Sequence, residues 1–184
     1  MKYKTIYADP PWNYGKLKPQ KRFGGRGGQA QMHYNTMTLD EIKQLPVDKI
    51  TEDKAHLYLW VTNPKLRLGF ELLEAWGFTY QTTITWVKVR KDGNVDRGGL
   101  GFYFRGATEH ILFGTKGKLS IPTDKRVPNV IHCMRNGHSV KPAKMYEIIE
   151  NCSPSPYLEL FARNRREGWD CYGDEVSDTS QRRI

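Results

Sequence analysis

The stretch Ala8-Asp9-Pro10-Pro11-Trp12 sets a carboxylate, two prolines and an indole side by side. A proline biases the residue before it towards extended backbone, so Asp9 and Pro10 are both expected to be extended. Successive prolines also fix their own φ angles and donate no hydrogen bond. Their carbonyls are therefore expected to point outward with few partners, beside the Asp9 carboxylate and beneath the Trp12 indole. A rigid acceptor cluster under a flat lid suits a planar substrate that presents an amino group. Asp-Pro alone is an ordinary turn. The full Asp-Pro-Pro-Trp run at the end of a strand is a far more specific signal.

The element that must carry this run is Tyr3-Lys4-Thr5-Ile6-Tyr7, whose apolar-polar alternation reads as a strand stopped by the first proline. After it, the segment from Asn13 to about Thr36 contains no acidic residue. Lys16, Lys18, Lys21, Arg22 and Arg26 surround the run Gly24-Gly25-Arg26-Gly27-Gly28, with Tyr14, Phe23 and Tyr34 among them. Cations interleaved with aromatics suit phosphate contact and base stacking. Arg90 to Arg105 is a second glycine- and charge-rich loop, carrying Arg97 and Arg105. Ile121 to Gly137 reads as irregular and basic, with Lys125, Arg126 and Arg135.

Thr38-Leu39-Asp40-Glu41 is a capping box that opens a short helix, ended by Pro46. Ala55 to Val61 is a buried-type strand. Asn63-Pro64 then starts a helix in which Leu66, Phe70, Leu73 and Trp76 recur at helical spacing and Gly77 closes the run. Phe78 to Val89 returns as one or two strands, completing a strand-helix-strand crossover. His110 to Gly114 reads as a strand, Pro142 opens a helix with the stripe Met145, Ile148, Ile149 and Cys152, and Tyr157 to Ala162 reads as the last clear strand. Trp60, Trp76 and Trp86 fall on core elements and read as packing. One α/β domain over residues 1–176 with a polar tail at 177–184 follows.

Of the 184 residues, 38% are hydrophobic and 12% aromatic, a globular composition. No apolar run is long enough for a membrane span and no secretory pattern opens the chain, so a cytoplasmic protein is expected. Cys133, Cys152 and Cys171 are scattered, and His132, Cys133, His138 and Cys152 match no standard zinc spacing, so no metal is expected. A formal charge of +9 points to a polyanionic partner, foremost nucleic acid.

Asp-Pro-Pro-Trp after a strand resembles the catalytic motif of the MT-A70 family of S-adenosylmethionine-dependent adenine methyltransferases. Further blocks resemble that family in its order and with similar gaps. They are Leu59-Trp60-Val61-Thr62-Asn63, Ile84 to Lys88, Glu109 to Gly114, His138-Ser139-Val140-Lys141-Pro142, Leu158 to Arg163, and Gly168 to Glu175. The resemblance implies a single Rossmann-like, doubly wound methyltransferase sheet in which the catalytic motif precedes the cofactor segments. Its site would lie at the carboxyl ends of the central strands.

The resemblance also implies roles. Asp9 and the Pro10 carbonyl would accept the hydrogens of an adenine amino group, with Pro11 fixing the turn, Trp12 stacking on the base and Tyr14 shaping the pocket. Asp9, Lys141, Phe161, Arg163, Asn164 and Arg165 would line the S-adenosylmethionine site, Lys141 on the cofactor carboxylate, and Asp174 and Glu175 would reach its ribose. Phe161-Ala162-Arg163 departs from the glycine-rich turn of more distant relatives. By family analogy DNA is the favoured substrate over RNA, in a bacterial or phage-infected cell. Short or relaxed sequence specificity and a homodimer are further expectations. A catalytically silent nucleic-acid-binding subunit is the alternative; the intact Asp9, both prolines and Lys141 favour an enzyme.

Overall fold

Residues Ala55 to Val61 form an unbroken buried run because the strand they belong to is covered on both faces. The computed structural model describes residues 1–14, 36–98, 103–135 and 140–173. Among these residues one sheet contains β1 (Tyr3–Ala8), β2 (Thr51–Val61), β3 (Thr79–Val89), β4 (Thr108–Lys116), β5 (Val130–Met134), β6 (Tyr157–Leu160) and β7 (Trp169–Tyr172). Their order is β5-β3-β4-β2-β1-β6-β7. Helices α1 (Leu39–Lys43), α2 (Val47–Ile50), α3 (Leu66–Ala75) and α4 (Lys144–Cys152) accompany the sheet, with 3-10 turns at Asn63–Lys65 and Thr123–Lys125.

Side chains alternate across a strand, so each strand feeds two cores. On one face Ile42 of α1 and Leu72 and Leu73 of α3 pack with Ile6, Ala8, Leu57, Leu59, Val61 and Leu112. On the other, Met145 and Ile149 of α4 pack with Tyr7, Tyr58, Trp60, Trp86, Ile111 and Phe113. Helices therefore cover both faces, as a doubly wound fold requires. Trp60, Trp76 and Trp86 are core residues. The close approach of α3 depends on Gly69, where a Cβ would meet the side chains of Val61 and Leu112.

The β2-α3-β3 segment is a parallel crossover with one strand between its ends. That strand is β4, antiparallel to both β2 and β3, while the other pairings are parallel. Thr38 caps α1 with the expected reciprocal bonds to Glu41. Three local expectations change. Thr62 rather than Asn63 is the cap, and Asn63–Lys65 is a 3-10 turn leading into α3. Val130–Met134, inside the segment read as irregular, is a strand because β3 offers it a parallel edge. Trp169–Tyr172 is likewise a strand, paired with β6. Both are short and carry weak patterns, so pairing partners decide them rather than local preference.

Candidate active site

Strands β1, β2, β3, β5, β6 and β7 end on one edge of the sheet, and β4 begins there. Asp9 leaves β1 directly after Ala8, which is registered against Leu59 of β2 and Leu160 of β6. The turn that follows is tightly bonded. Trp12 N–H donates to the Pro10 carbonyl (2.8 Å), Met37 N–H to the Pro11 carbonyl (2.9 Å) and Asn13 N–H to the Met37 carbonyl (3.2 Å). The proline carbonyls thus have partners, contrary to the expectation from sequence; each retains a second lone pair. Trp12 is no open lid either. Its indole is 6% exposed and its Nε1–H donates to the Trp60 carbonyl (3.2 Å), which pins the turn to β2.

Beside the turn lies a charge cluster drawn from four segments. Lys141 Nζ is 2.9 Å from Asp9 Oδ2 and 3.3 Å from Glu109 Oε2, and Lys88 Nζ is 2.6 Å from Glu109 Oε1. Lys141 also lies over the Trp60 ring and Lys88 over the Trp86 ring, at 5.1 and 5.0 Å from the centroids. Burial alone pushes the Lys141 ammonium down, yet Asp9 and Glu109 outweigh it and hold it above the ordinary lysine value. Burial likewise pushes the Glu109 carboxyl up, and Lys141 and Lys88 together bring it below its ordinary value. Both shifts favour the charged forms of Lys141 and Glu109. Sequence reasoning did not single out Glu109 or Lys88 as site residues; the available signal was a charge near the end of β3 and another near the start of β4.

The next strand contributes a buried acid. Glu159 faces α4, where Tyr146 O–H lies 2.9 Å from both carboxylate oxygens. Burial, with Asp9 nearby, pushes its carboxyl up to about 7 despite the Tyr146 bond and the Arg166 charge. Arg166 in turn stacks on Tyr146 at 4.6 Å and pairs with Glu150. Beyond β6, Phe161 takes φ 63°, a left-handed turn uncommon for a bulky residue. Ala162 N–H returns to the Tyr172 carbonyl (3.0 Å) and Gly173 packs on the Ala162 backbone. Arg163, Asn164 and Arg165 follow this turn, on the same edge as Asp9.

The remaining sequence-selected residues divide into groups. Tyr14 Oη is 2.8 Å from Thr62 Oγ1. Lys65 donates to the Asn13 carbonyl (2.7 Å) and lies 5.1 Å over the Tyr14 ring, a clamp that sequence reasoning missed. Arg97 and Arg105 are exposed on the β3–β4 connection, whereas Arg135 is tied to Asp96 (2.6 Å). Lys16, Lys18, Lys21, Arg22, Arg26, Asp174 and Glu175 lie outside the described residues. Among the described residues, no group of His, Cys, Asp and Glu could hold a metal ion, and no helix is long and apolar enough to cross a membrane.

A methyl donor built on an amino acid needs a cation for its carboxylate and anions for its ammonium and sulfonium charges. Lys141, with Asp9 and Glu109 around it, offers both signs on one edge, so the residues present fit S-adenosylmethionine.

The chain matches the MT-A70 family over residues 3–175. It is 35% identical to the type II methyltransferase M.MunI of Mycoplasma sp, over 96% of this chain and 79% of that protein. Human METTL3, the catalytic subunit of an N(6)-adenosine-methyltransferase, is 30% identical over 95% of this chain. An MT-A70-like N(6)-adenosine-methyltransferase of Arabidopsis thaliana is 33% identical over 94%. The chain spans only 28% and 24% of these last two.

Proposed function

The chain belongs to the MT-A70 family of S-adenosylmethionine-dependent adenine-N6 methyltransferases, and from that premise we propose that it methylates the exocyclic amino group of adenine in DNA. The observation that carries this reading is the Asp9-Pro10-Pro11-Trp12 turn with Lys141 Nζ 2.9 Å from Asp9. DNA is preferred because M.MunI, a relative of which this chain covers 79%, is named a type II methyltransferase and not an adenosine methyltransferase. The similarity to METTL3 supports RNA as the second reading. Short or relaxed sequence specificity completes the proposal.

When bound, S-adenosylmethionine supplies a methyl group on a cationic sulfur. Lys141 would hold its carboxylate, and Phe161, Arg163, Asn164 and Arg165, with Asp174 and Glu175, would hold the remainder. The chain's own residues prepare the acceptor. An adenine amino nitrogen is a poor nucleophile because its lone pair is delocalised into the ring. Lys141 occupies Asp9 Oδ2, which leaves Oδ1 to accept one amino hydrogen. The free lone pair of the Pro10 carbonyl accepts the other. Two acceptors fixed in this way localise the nitrogen lone pair and orient it. The proton that nitrogen releases on alkylation is then within reach of Asp9. Pro11 and Trp12 keep the acceptors in place, through Met37 and Trp60. In a duplex the adenine must first leave its stack, which costs a few kcal/mol.

The test is transfer of labelled methyl to single- and double-stranded DNA and RNA, with and without adenine. Adenine-dependent label that disappears in Asp9→Ala is the expected result. Label on adenine-free substrates, or an active Asp9→Ala, would sink the assignment. No S-adenosylmethionine-dependent rise in Tm would leave only a silent binding subunit.

A further inference from the structure

Two neighbouring aromatics in the β3–β4 connection, Tyr103 and Phe104, are 94% and 89% exposed. By contrast Trp12, Trp60, Trp76, Trp86 and Trp169 are all buried. The two rings stand on a braced base. Lys88 N–H donates to the Ala107 carbonyl (2.9 Å), Asp96 N–H to the Lys88 carbonyl (2.7 Å) and Ala107 N–H to the Arg105 carbonyl (3.0 Å). Arg135, directly after β5, holds Asp96 at 2.6 Å. Gly98 lies so close to Gly106 that a Cβ on Gly98 would stand 2.7 Å from the Gly106 carbonyl oxygen. This close approach brings the two sides of the connection together.

The base of the loop is joined to the candidate active site. Lys88, which takes two of those backbone bonds, is ion-paired to Glu109, and Glu109 shares Lys141 with Asp9. Phe104 precedes Glu109 by five positions, so their Cα atoms are at most about 18 Å apart. Charge indicates what the rings meet. Asp92 is paired with Arg90, and Asp96 with Arg135. The exposed Lys91, Arg97 and Arg105 have no carboxylate partner among the described residues. Arg105 directly follows Phe104. Flat apolar faces flanked by uncompensated cations match a polyanion that carries stackable rings.

We propose that Tyr103 and Phe104 form a stacking platform for the bases that flank the target adenine, with Arg97 and Arg105 on the adjacent phosphates. The proposal rests on the methyl-transfer reading for the position of that target. Extruding an adenine uncovers the faces of its neighbours. Rings held near the site cover them again, and do so without regard to base identity, since every base has a π face. The platform accordingly supports affinity and positioning rather than a strict target sequence.

The test reads binding without the methyl donor, by fluorescence anisotropy on adenine-containing single-stranded DNA, duplex DNA and matched RNA. The double substitution Tyr103→Ala/Phe104→Ala is expected to weaken binding at least about tenfold. The slope of log Kd against log salt should stay the same, because no charge is removed. Arg97→Gln/Arg105→Gln should instead flatten that slope. The swap Tyr103→Phe/Phe104→Tyr keeps both rings and should retain affinity within about twofold. Exposed rings contribute little to the fold, so the alanine pair should melt with the wild type. Unchanged affinity in the alanine pair overturns the proposal. So does a halved solution mass with intact binding, which would assign the rings to a second copy of the chain. Ring-dependent binding by a wild type that never methylates leaves the platform standing and sinks the catalytic reading. Methylation with ring-independent binding does the reverse.

Discussion

Glu159→Gln isolates the cost of an acid held inside the sheet. Glu159 is 9% exposed, and the groups around it are the Tyr146 hydroxyl at 2.9 Å, the Asp9 carboxylate and the Arg166 guanidinium. Its carboxyl is raised from 4.5 to about 7. A group raised by folding binds more protons in the folded state, so its stabilising contribution is full below pH 4.5 and is lost as pH rises through about 7. That rise corresponds to a ceiling of about 3 kcal/mol. For a chain of this size, about 3 kcal/mol is about 6–12 °C in Tm. Glutamine keeps the volume and an acceptor for Tyr146 but does not titrate.

The assay is Tm against pH for both proteins. Near pH 4 the curves should nearly coincide; by pH 8 the variant should melt higher, by up to that ceiling. His56 acts in the opposite sense. Burial pulls it below 6.5, so its contribution is lost as pH falls, but it is common to both proteins and cancels in the difference. Parallel curves from pH 5 to 8 would refute the reasoning, because they would mean that Glu159 titrates alike in the folded and unfolded chain.

Gly173→Ala should destabilise by about 1–3 kcal/mol, since the new methyl overlaps the Ala162 backbone rather than a side chain that can move. A wild-type Tm in this variant would show that the end of β7 does not bear on the Phe161 turn. Lys88→Met and Glu109→Gln, alone and combined, test whether the 2.6 Å pair acts as a unit. A coupling of at least about 1 kcal/mol is expected from the double-mutant cycle, and strictly additive losses would refute it.

Much of this molecule is written locally. The Thr38 capping box satisfies its own backbone within a few residues, the apolar stripes of α3 and α4 recur at helical spacing, and the apolar run of β1 is cut off by Pro10 just past its end. That is why pattern alone reads them. The Asp-Pro-Pro-Trp run is equally local, so the sequence alone singles it out as the centre of the candidate site. The surroundings of that run were not. Proline geometry predicts extended backbone, but the partners of the carbonyls come from Met37 and Trp12, and the Trp12 indole is spoken for by a β2 carbonyl.

The sequence by itself determined the two-faced α/β sheet, the turn that carries Asp9 and the placement of Lys141 near a helix start. Only the tertiary structure decided the direction of β4, the pairing of the short strands β5 and β7, and the meeting of Asp9, Lys88, Glu109 and Lys141. The physical reason is range. Helical stripes and strand alternation depend on neighbours a few residues away, whereas a buried ion network exists only where distant strand ends share a common edge. Lys141 is 132 positions from Asp9, and no period or spacing encodes that encounter.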